Sequence, residues 1–533
     1  MTGSALWRFD PVRGEYREAD GARRGGTGEI SAIDQFRSKT ILLLGGTGFV
    51  GKVLLSLVLD RFPELNHLIL QVRKRRHMSG QERFLSEILA SPPLRPVVDR
   101  LGVDTILERT TVVEGDLSLP MCGIDADRLP ELRSKVDVVI NSAGLVEFDP
   151  PLGESLITNV YGIRNLIELV QTVDARLVHV STCYVAGKKS GRIREDTPIV
   201  GYYPNRTGPD DDTFDVEREL AWCEDFINRT TDRTAERDGG MQRADQWGWI
   251  NTYTYTKSIG EQLIARTPGL RYAIVRPAIV ESSMEFPFPG WNEGMTTSAP
   301  LVLMGGEGVK AWPVRKDGPL EIIPVDLIAT GILIVTAARL ADRSEPVYHL
   351  ATASDNPVML PRLVGFLGMN ARYKHKHKKD GNKLANLWKA YVETEVVSVE
   401  QLEANRRRVR RGFDFLQALF SFLKVIVGPR LMDPYLKSLR ITRRQIRQQE
   451  QTLDKFLPFM IHNTFVFETD NIRHADRMLT DEDHRRLAWE PEAIDWADYW
   501  VNVHTKGIEK WIRPMFAREM KAADQAGTSR AMT

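Results

Sequence analysis

Residues 41–59, ILLLGGTGFVGKVLLSLVL, restrict the fold of this chain more than any other stretch. By hydropathy alone they are long enough to cross a bilayer. Three features argue against a span. The apolar run ends in a glycine cluster, Lys52 lies mid-segment, and Phe49, Val50, Val53, Leu54, Leu57 and Val58 recur at helical spacing. The pattern reads as strand, tight turn and amphipathic helix. Gly45, Gly48 and Gly51 form G-x-x-G-x-x-G at that turn. The first glycine permits the sharp exit from the strand. The second lets a diphosphate approach the backbone, and the third lets the helix lie close to the sheet. The helix N-terminus then offers N–H groups and a positive dipole end to phosphate oxygens. A second strand-like run, HLILQV at 67–72, follows, which is the context in which such a glycine pattern signifies dinucleotide binding.

Further strand-like runs, TTVVEGDL, VDVVINSAG, LVHVSTCYV and RYAIVRPAIV, are separated by helical patterns such as NVYGIRNLIELVQ. This alternation predicts a doubly wound, Rossmann-type parallel sheet. In such a sheet the strand ends line the ligand crevice, so Asp116, Ala143, Thr182 and Pro277 are expected beside a cofactor. The second strand runs into RKRRH rather than into Asp or Glu. A carboxylate there suits the free ribose of NAD, whereas Arg73, helped by Arg75 or Arg76, suits the extra phosphate of NADP.

Chemistry points to NTYTYTKSIGE, residues 251–261. Residues four apart on a helix are neighbours, so Tyr253 faces Lys257, whereas Tyr255 has Ile259 at that spacing. An ammonium beside a phenol favours the phenolate and makes the phenol a better proton donor to a developing alkoxide. Thr182 supplies a second hydroxyl for the same oxygen. Cys183 adjoins Thr182, but side chains alternate along a strand, which directs the thiol away from the site and argues against an acyl-cysteine intermediate.

Bulk properties limit the alternatives. The chain has 533 residues, 42% hydrophobic, enough for two or three domains. Its 72 basic and 71 acidic side chains leave a net charge of +1, so there is no global attraction to nucleic acid. Three scattered cysteines, Cys122, Cys183 and Cys223, imply a reducing compartment, and no N-terminal stretch resembles a signal peptide, so a cytoplasmic location is expected. From about residue 361 the chain is helical in pattern and locally basic. His375 and His377 alternate with lysines, which suggests a solvated strip and not a metal site. The apolar run 413–427 is too short to span a bilayer. A buried core helix is the favoured reading, with peripheral membrane anchoring as the alternative.

The motifs GGTGFVGKVLL, VRKRR, GDL, NSAGLVEFD, HVSTCYVAG, NTYTYTKSIGEQL, IVRPAIVESS, PGWNEG and IIPVDLIA, in that order, resemble the extended short-chain dehydrogenase/reductase superfamily. Within it, the chain is similar to the alcohol-forming fatty acyl-CoA reductases, or male-sterility proteins. The resemblance continues through FVFETDN and IDWADYWVNVHTKGIEKW. It implies Thr182, Tyr253 and Lys257 as the catalytic group. It places Gly45, Thr47, Gly48, Phe49, Val50, Gly51, Arg73, Arg76, Asp116, Leu117, Ala143, Pro277 and Ile279 at cofactor positions, together with Tyr253 and Lys257. It further implies NADPH and a long-chain acyl-CoA, reduced to an aldehyde and then to a primary alcohol by two hydride transfers in one site. The thioester can be carried by CoA or an acyl carrier protein, and self-association is open. A thioester reductase stopping at the aldehyde, a nucleotide-sugar epimerase and a cofactor-binding regulator are the competing readings. The expected organisation is a flexible extension (1–38), an NADP-binding reductase domain with substrate-side insertions (39–360) and a helical C-terminal domain (361–533). The long insert between Thr182 and Tyr253 contains DTFDVERELAWCEDFINRTTDR, expected as a helix near the substrate mouth.

Overall fold

The computed structural model describes residues 7–10, 15–18, 26–208, 211, 213–294, 297–307, 309–377, 394–487 and 489–518. Residues 40–61 fold as strand β1 (Thr40–Leu44), glycine turn and helix α1 (Phe49–Arg61). Helix α1 is buried on nearly every side, which is why its hydropathy imitates a membrane span. No helix among the described residues is long and apolar enough to cross a membrane.

Six strands join β1: β2 (His67–Val72), β3 (Thr110–Glu114), β4 (Val138–Asn141), β5 (Arg176–Val180), β6 (Tyr272–Pro277) and β7 (Val347–Leu350). The sheet order is β3-β2-β1-β4-β5-β6-β7, parallel throughout. Most strand residues are buried because both faces are covered, so the strands read as apolar runs and not as alternating patterns. The order reverses between β1 and β4, opening a crevice at their C-terminal ends. Around the sheet lie α2 (Gly162–Thr172), α3 (Val216–Arg229), α4 (Thr252–Ala265) and α5 (Val325–Leu340).

The chain forms two compact units that do not follow a single cut at residue 360. One comprises residues 1–297, 321–357 and 465–533; the other comprises 298–320 and 358–464. The C-terminal stretch returns to the first unit because three devices hold it there. Phe465–Phe467 pairs in parallel with Gly191–Ile193. The buried Glu321 carboxylate accepts the Phe467 N–H at 2.8 Å, and the Glu195 carboxylate accepts the Asn471 N–H at 2.8 Å. The extension before residue 39, expected to be flexible, is also partly structured. Trp7–Asp10 pairs with Glu15–Glu18, and Asp483 accepts the N–H groups of Ala32 and Ile33 at 2.9 Å.

The second unit is dominated by α6 (Val399–Val427) and α7 (Pro429–Leu457), an antiparallel hairpin. Gly428, at φ +92°, makes the reversal, and Pro429 starts the second helix where its missing N–H costs nothing. The 413–427 run is not the buried core helix favoured from sequence. Phe415, Phe422 and Val425 are 67%, 65% and 85% exposed. Length and hydropathy could not reveal this, because burial depends on what packs opposite. The side chains of His375 and His377 lie outside the described residues.

Candidate active site

The glycine turn is built by contact. At Gly45, φ is +83°, and a Cβ would lie 2.5 Å from the Ala143 nitrogen. At Gly51 a Cβ would lie 2.1 Å from the Gly45 carbonyl oxygen, so α1 rests directly on the strand exit. Gly48 differs. Its φ is −87°, it caps α1 without any side-chain hydrogen bond, and a Cβ there would meet only the Gly45 oxygen at 3.5 Å. The end of α1 is therefore left open, with its N–H groups available to an anion. Gly48 is exposed and Thr47, Phe49 and Val50 half-buried around the opening. Lys52, one turn into α1, is buried and donates to both Glu293 oxygens at 2.7 and 2.8 Å. That pair fixes the PGWNEG segment beside the turn, where a Cβ on Gly294 would lie 3.5 Å from the Phe49 ring.

The other crevice positions follow from the strand ends. Arg73 follows β2, with its side chain 67% exposed and its guanidinium 3.7 Å from the Asp116 carboxylate. Arg76 is exposed, whereas Arg75 is paired with Glu87 at 2.9 Å. Asp116 also accepts from the Ser118 N–H and hydroxyl at 3.0 and 2.8 Å. Ala143 donates its N–H to Asn141 at 3.1 Å. The Pro277 carbonyl accepts from the Thr182 hydroxyl at 3.4 Å, and half-buried Ile279 begins a short strand paired with Ile322. Leu117 is different in kind. Its side chain is in the apolar core, where a Cβ on Gly162 would lie 2.9 Å from it, so only its backbone can face a ligand.

Helix α4 begins at Asn251, whose side chain accepts the Thr254 N–H at 2.9 Å while Thr254 returns a bond to the Asn251 N–H. This capping box fixes where the first turn starts and so where Tyr253 points. The Tyr253 phenol lies beside the Thr182 hydroxyl. Burial pushes the Tyr253 phenol up to about 12, the Thr182 hydroxyl pulls it back and Glu261 adds to the rise. The neighbouring lysine does not bring the phenol down as the sequence suggested. The Lys257 ammonium is turned to the Val180 carbonyl, donating at 2.8 Å, and burial lowers it to about 8 against the opposing pull of Glu261. Tyr253 is thus a neutral proton donor at neutral pH, and Lys257 is charged but poorly solvated.

Tyr255 takes no part. It is fully buried, donates to the Glu219 carboxylate and lies 3.3 Å from Cys223 on α3. The insert helix therefore packs its buried face behind α4. Cys183 donates to the Arg276 carbonyl at 2.8 Å, and burial raises its thiol well above the ordinary range, so it stays protonated.

Asn159 escaped the sequence reading. It accepts the Leu145 N–H at 2.9 Å, donates to the Leu145 carbonyl at 3.0 Å and to the Thr256 hydroxyl at 3.3 Å. It ties the loop after β4 to α4. Its only signal was an asparagine inside an apolar helical pattern, a residue that helices disfavour.

The sequence pattern of the family described as "Male sterility protein", of the NAD-binding kind, matches residues 43–332. The chain belongs to the male sterility protein family. Its members are oxidoreductases that bind a nicotinamide cofactor. Similarity extends beyond the matched region. Fatty acyl-CoA reductase 8 of Arabidopsis thaliana is 26% identical over 503 residues, 90% of this chain and 98% of that protein. The alcohol-forming fatty acyl-CoA reductase of Simmondsia chinensis is 27% identical over 518 residues, covering 90% and 98%. Fatty acyl-CoA reductase 1 of Rattus norvegicus is 25% identical over 502 residues, covering 91% and 86%. Among solved structures, the reductase domain of a non-ribosomal peptide synthetase from Mycobacterium tuberculosis superposes with a TM-score of 0.50 at 19% identity, covering 88% of this chain and 93% of that one. It shares the fold.

Proposed function

We propose that the protein reduces long-chain fatty acyl-CoA to the primary alcohol with NADPH, through an aldehyde, in one site. The observation that carries this reading is the placement of the Tyr253 phenol beside the Thr182 hydroxyl just after β5, with Lys257 one helical turn along α4. Likeness to fatty acyl-CoA reductases over nine-tenths of the chain supplies the substrate class.

The residues present fit a phosphorylated dinucleotide. The open end of α1 suits the diphosphate, and exposed Arg73 and Arg76 follow a strand that ends without a carboxylate, which favours NADPH over NADH. When bound, the nicotinamide supplies the hydride. Tyr253 and Thr182 hold the carbonyl oxygen of the substrate by two O–H donors and stabilise the negative charge that develops there. In the first round the oxyanion re-forms the carbonyl, breaking the C–S bond so that CoA leaves as its thiol and the aldehyde remains. In the second, Tyr253 releases its proton to the alkoxide to form the alcohol. Lys257 binds ribose hydroxyls and compensates the phenolate left behind. Thioester and aldehyde present the same reacting group, a carbonyl needing an oxyanion site, so one set of donors serves both steps.

The test is stoichiometric. With excess NADPH and limiting palmitoyl- or stearoyl-CoA, two NADPH oxidised per CoA thiol released, abolished by Tyr253→Phe, establishes alcohol formation. One per thiol makes the protein an aldehyde-forming reductase. NADPH binding without oxidation by any acyl-CoA or acyl carrier protein thioester overturns acyl reduction and leaves the epimerase or regulator reading, to be separated by nucleotide-sugar turnover.

A further inference from the structure

The α6–α7 hairpin exposes apolar surface that its own fold does not use. Each helix has 29 residues, so each arm is about 43 Å long at ~1.5 Å per residue. Near its open end Leu402, Leu453 and Phe456 are buried. Toward the Gly428 reversal burial gives way to exposed apolar residues: Phe422, Val425, Ile426, Val427, Leu431 and Tyr435. Val425, Ile426 and Val427 are consecutive, and successive helical residues are about 100° apart, so the apolar surface wraps around the end of the hairpin instead of occupying one stripe. A folded partner covers one side of a helix. A bilayer surrounds an inserted tip.

The charge pattern selects the kind of bilayer. Residues 399–457 carry thirteen Lys and Arg against six Asp and Glu. Asp414, Asp433, Glu450 and Asp454 are ion-paired within the hairpin, at 3.1, 2.7, 3.0 and 2.8 Å. The net positive field therefore faces outward. Arg430 lies at the tip, and Lys437 and Arg440 lie two to three turns along α7; all three are exposed. Apolar tips of this kind settle roughly 5–10 Å into the boundary between headgroups and acyl chains, which leaves such bases level with lipid phosphates. Two copies meeting through this surface would instead oppose like charges.

We infer that the tip of the 399–457 hairpin is a docking surface for an anionic phospholipid bilayer, entered by the apolar residues around Gly428 and held by the flanking Lys and Arg. This holds whether or not the acyl-reduction reading does. The full chain is floated with phosphatidylcholine vesicles and with vesicles containing about 30% phosphatidylserine. Two double variants are compared, Val425→Glu with Ile426→Glu, and Lys437→Glu with Arg440→Glu. All four positions are exposed, so unfolding temperature and NADPH binding should match the parent. The expected result is co-flotation with the anionic vesicles only, weakened by raised salt, and reduced at least ~10-fold in each double variant. No flotation of the parent, or flotation that survives the glutamates at the tip, overturns the inference. Equal flotation with neutral vesicles overturns the anionic assignment. If the tip variant converts a lipid-free oligomer to monomer, the surface is an interface between copies.

Discussion

Two tyrosines separated by one residue divide the labour of α4. Tyr253 meets Thr182, while Tyr255 is directed into the core against Glu219 and Cys223. Tyr253→Phe should lower turnover by roughly 10²–10⁴, the usual contribution of a positioned proton donor, with little change in unfolding temperature. Tyr255→Phe should do the reverse. Glu219 keeps Arg243 and Trp247 as donors at 2.6 and 3.0 Å, so the loss is about 1–2 kcal/mol of stability with turnover preserved. Lys257 makes a pH prediction. Its ordinary value is 10.5 and burial lowers it to about 8, so a step needing the ammonium should run at full rate below pH 8 and fall above it. Stability moves the other way. Between about 8 and 10.5 the unfolded chain binds the proton that the folded one has released, so this group favours folding more as pH rises through that window. Rate and unfolding measured on one pH series separate the effects. The Tyr253 phenol, near 12, adds no limb in the working range.

The strand–turn–helix element carries the proposed cofactor site, and its glycines are separable. Gly51→Ala would put a methyl 2.1 Å from the Gly45 oxygen, so α1 must lift from the sheet. Overpacking of this kind typically costs about 1–3 kcal/mol, and NADPH affinity should fall along with stability. Gly48→Ala meets nothing closer than 3.5 Å, at a φ of −87° that alanine accepts. It should fold normally yet weaken NADPH binding, because the methyl stands where the diphosphate approaches. Unfolding curves with and without NADPH distinguish the variants. If Gly48→Ala binds as well as the parent, the phosphates do not lie on this turn.

At the scale of the molecule, distant segments are joined through buried carboxylates. Glu321 accepts N–H groups from Phe467, Thr352 and Ala353 at 2.8, 3.2 and 3.1 Å. Glu195 accepts from His349 and Asn471 at 2.7 and 2.8 Å. Burial raises them to about 7 and about 8, respectively, despite these donors. Glu321→Ala strands three buried donors and should cost roughly 1–3 kcal/mol per unsatisfied group, read as a lower unfolding temperature. A chain ending after Thr464 loses the partner of Gly191–Ile193 as well, and should accumulate in the insoluble fraction.

The residues that make the sheet and the glycine turn declare themselves locally. Gly45 and Gly51 are required by contacts within one supersecondary unit, and β1 to β6 follow the order of the apolar runs, whereas β7 had no run assigned to it. Periodicity over a few residues therefore determined the fold class, and spacing to Lys257 set Tyr253 apart from Tyr255 as the proposed proton donor. What needed tertiary structure was every property set by residues far apart in the chain. Leu117 faces the core and Arg75 is taken by Glu87. The Tyr253 phenol rises instead of falling because burial outweighs its neighbours. Asn159 matters only because a loop comes to lie against it. The 413–427 run looked like core because it is apolar, but hydropathy records what a segment prefers and not what is available to cover it. Only the assembled chain shows that nothing in its own hairpin does so.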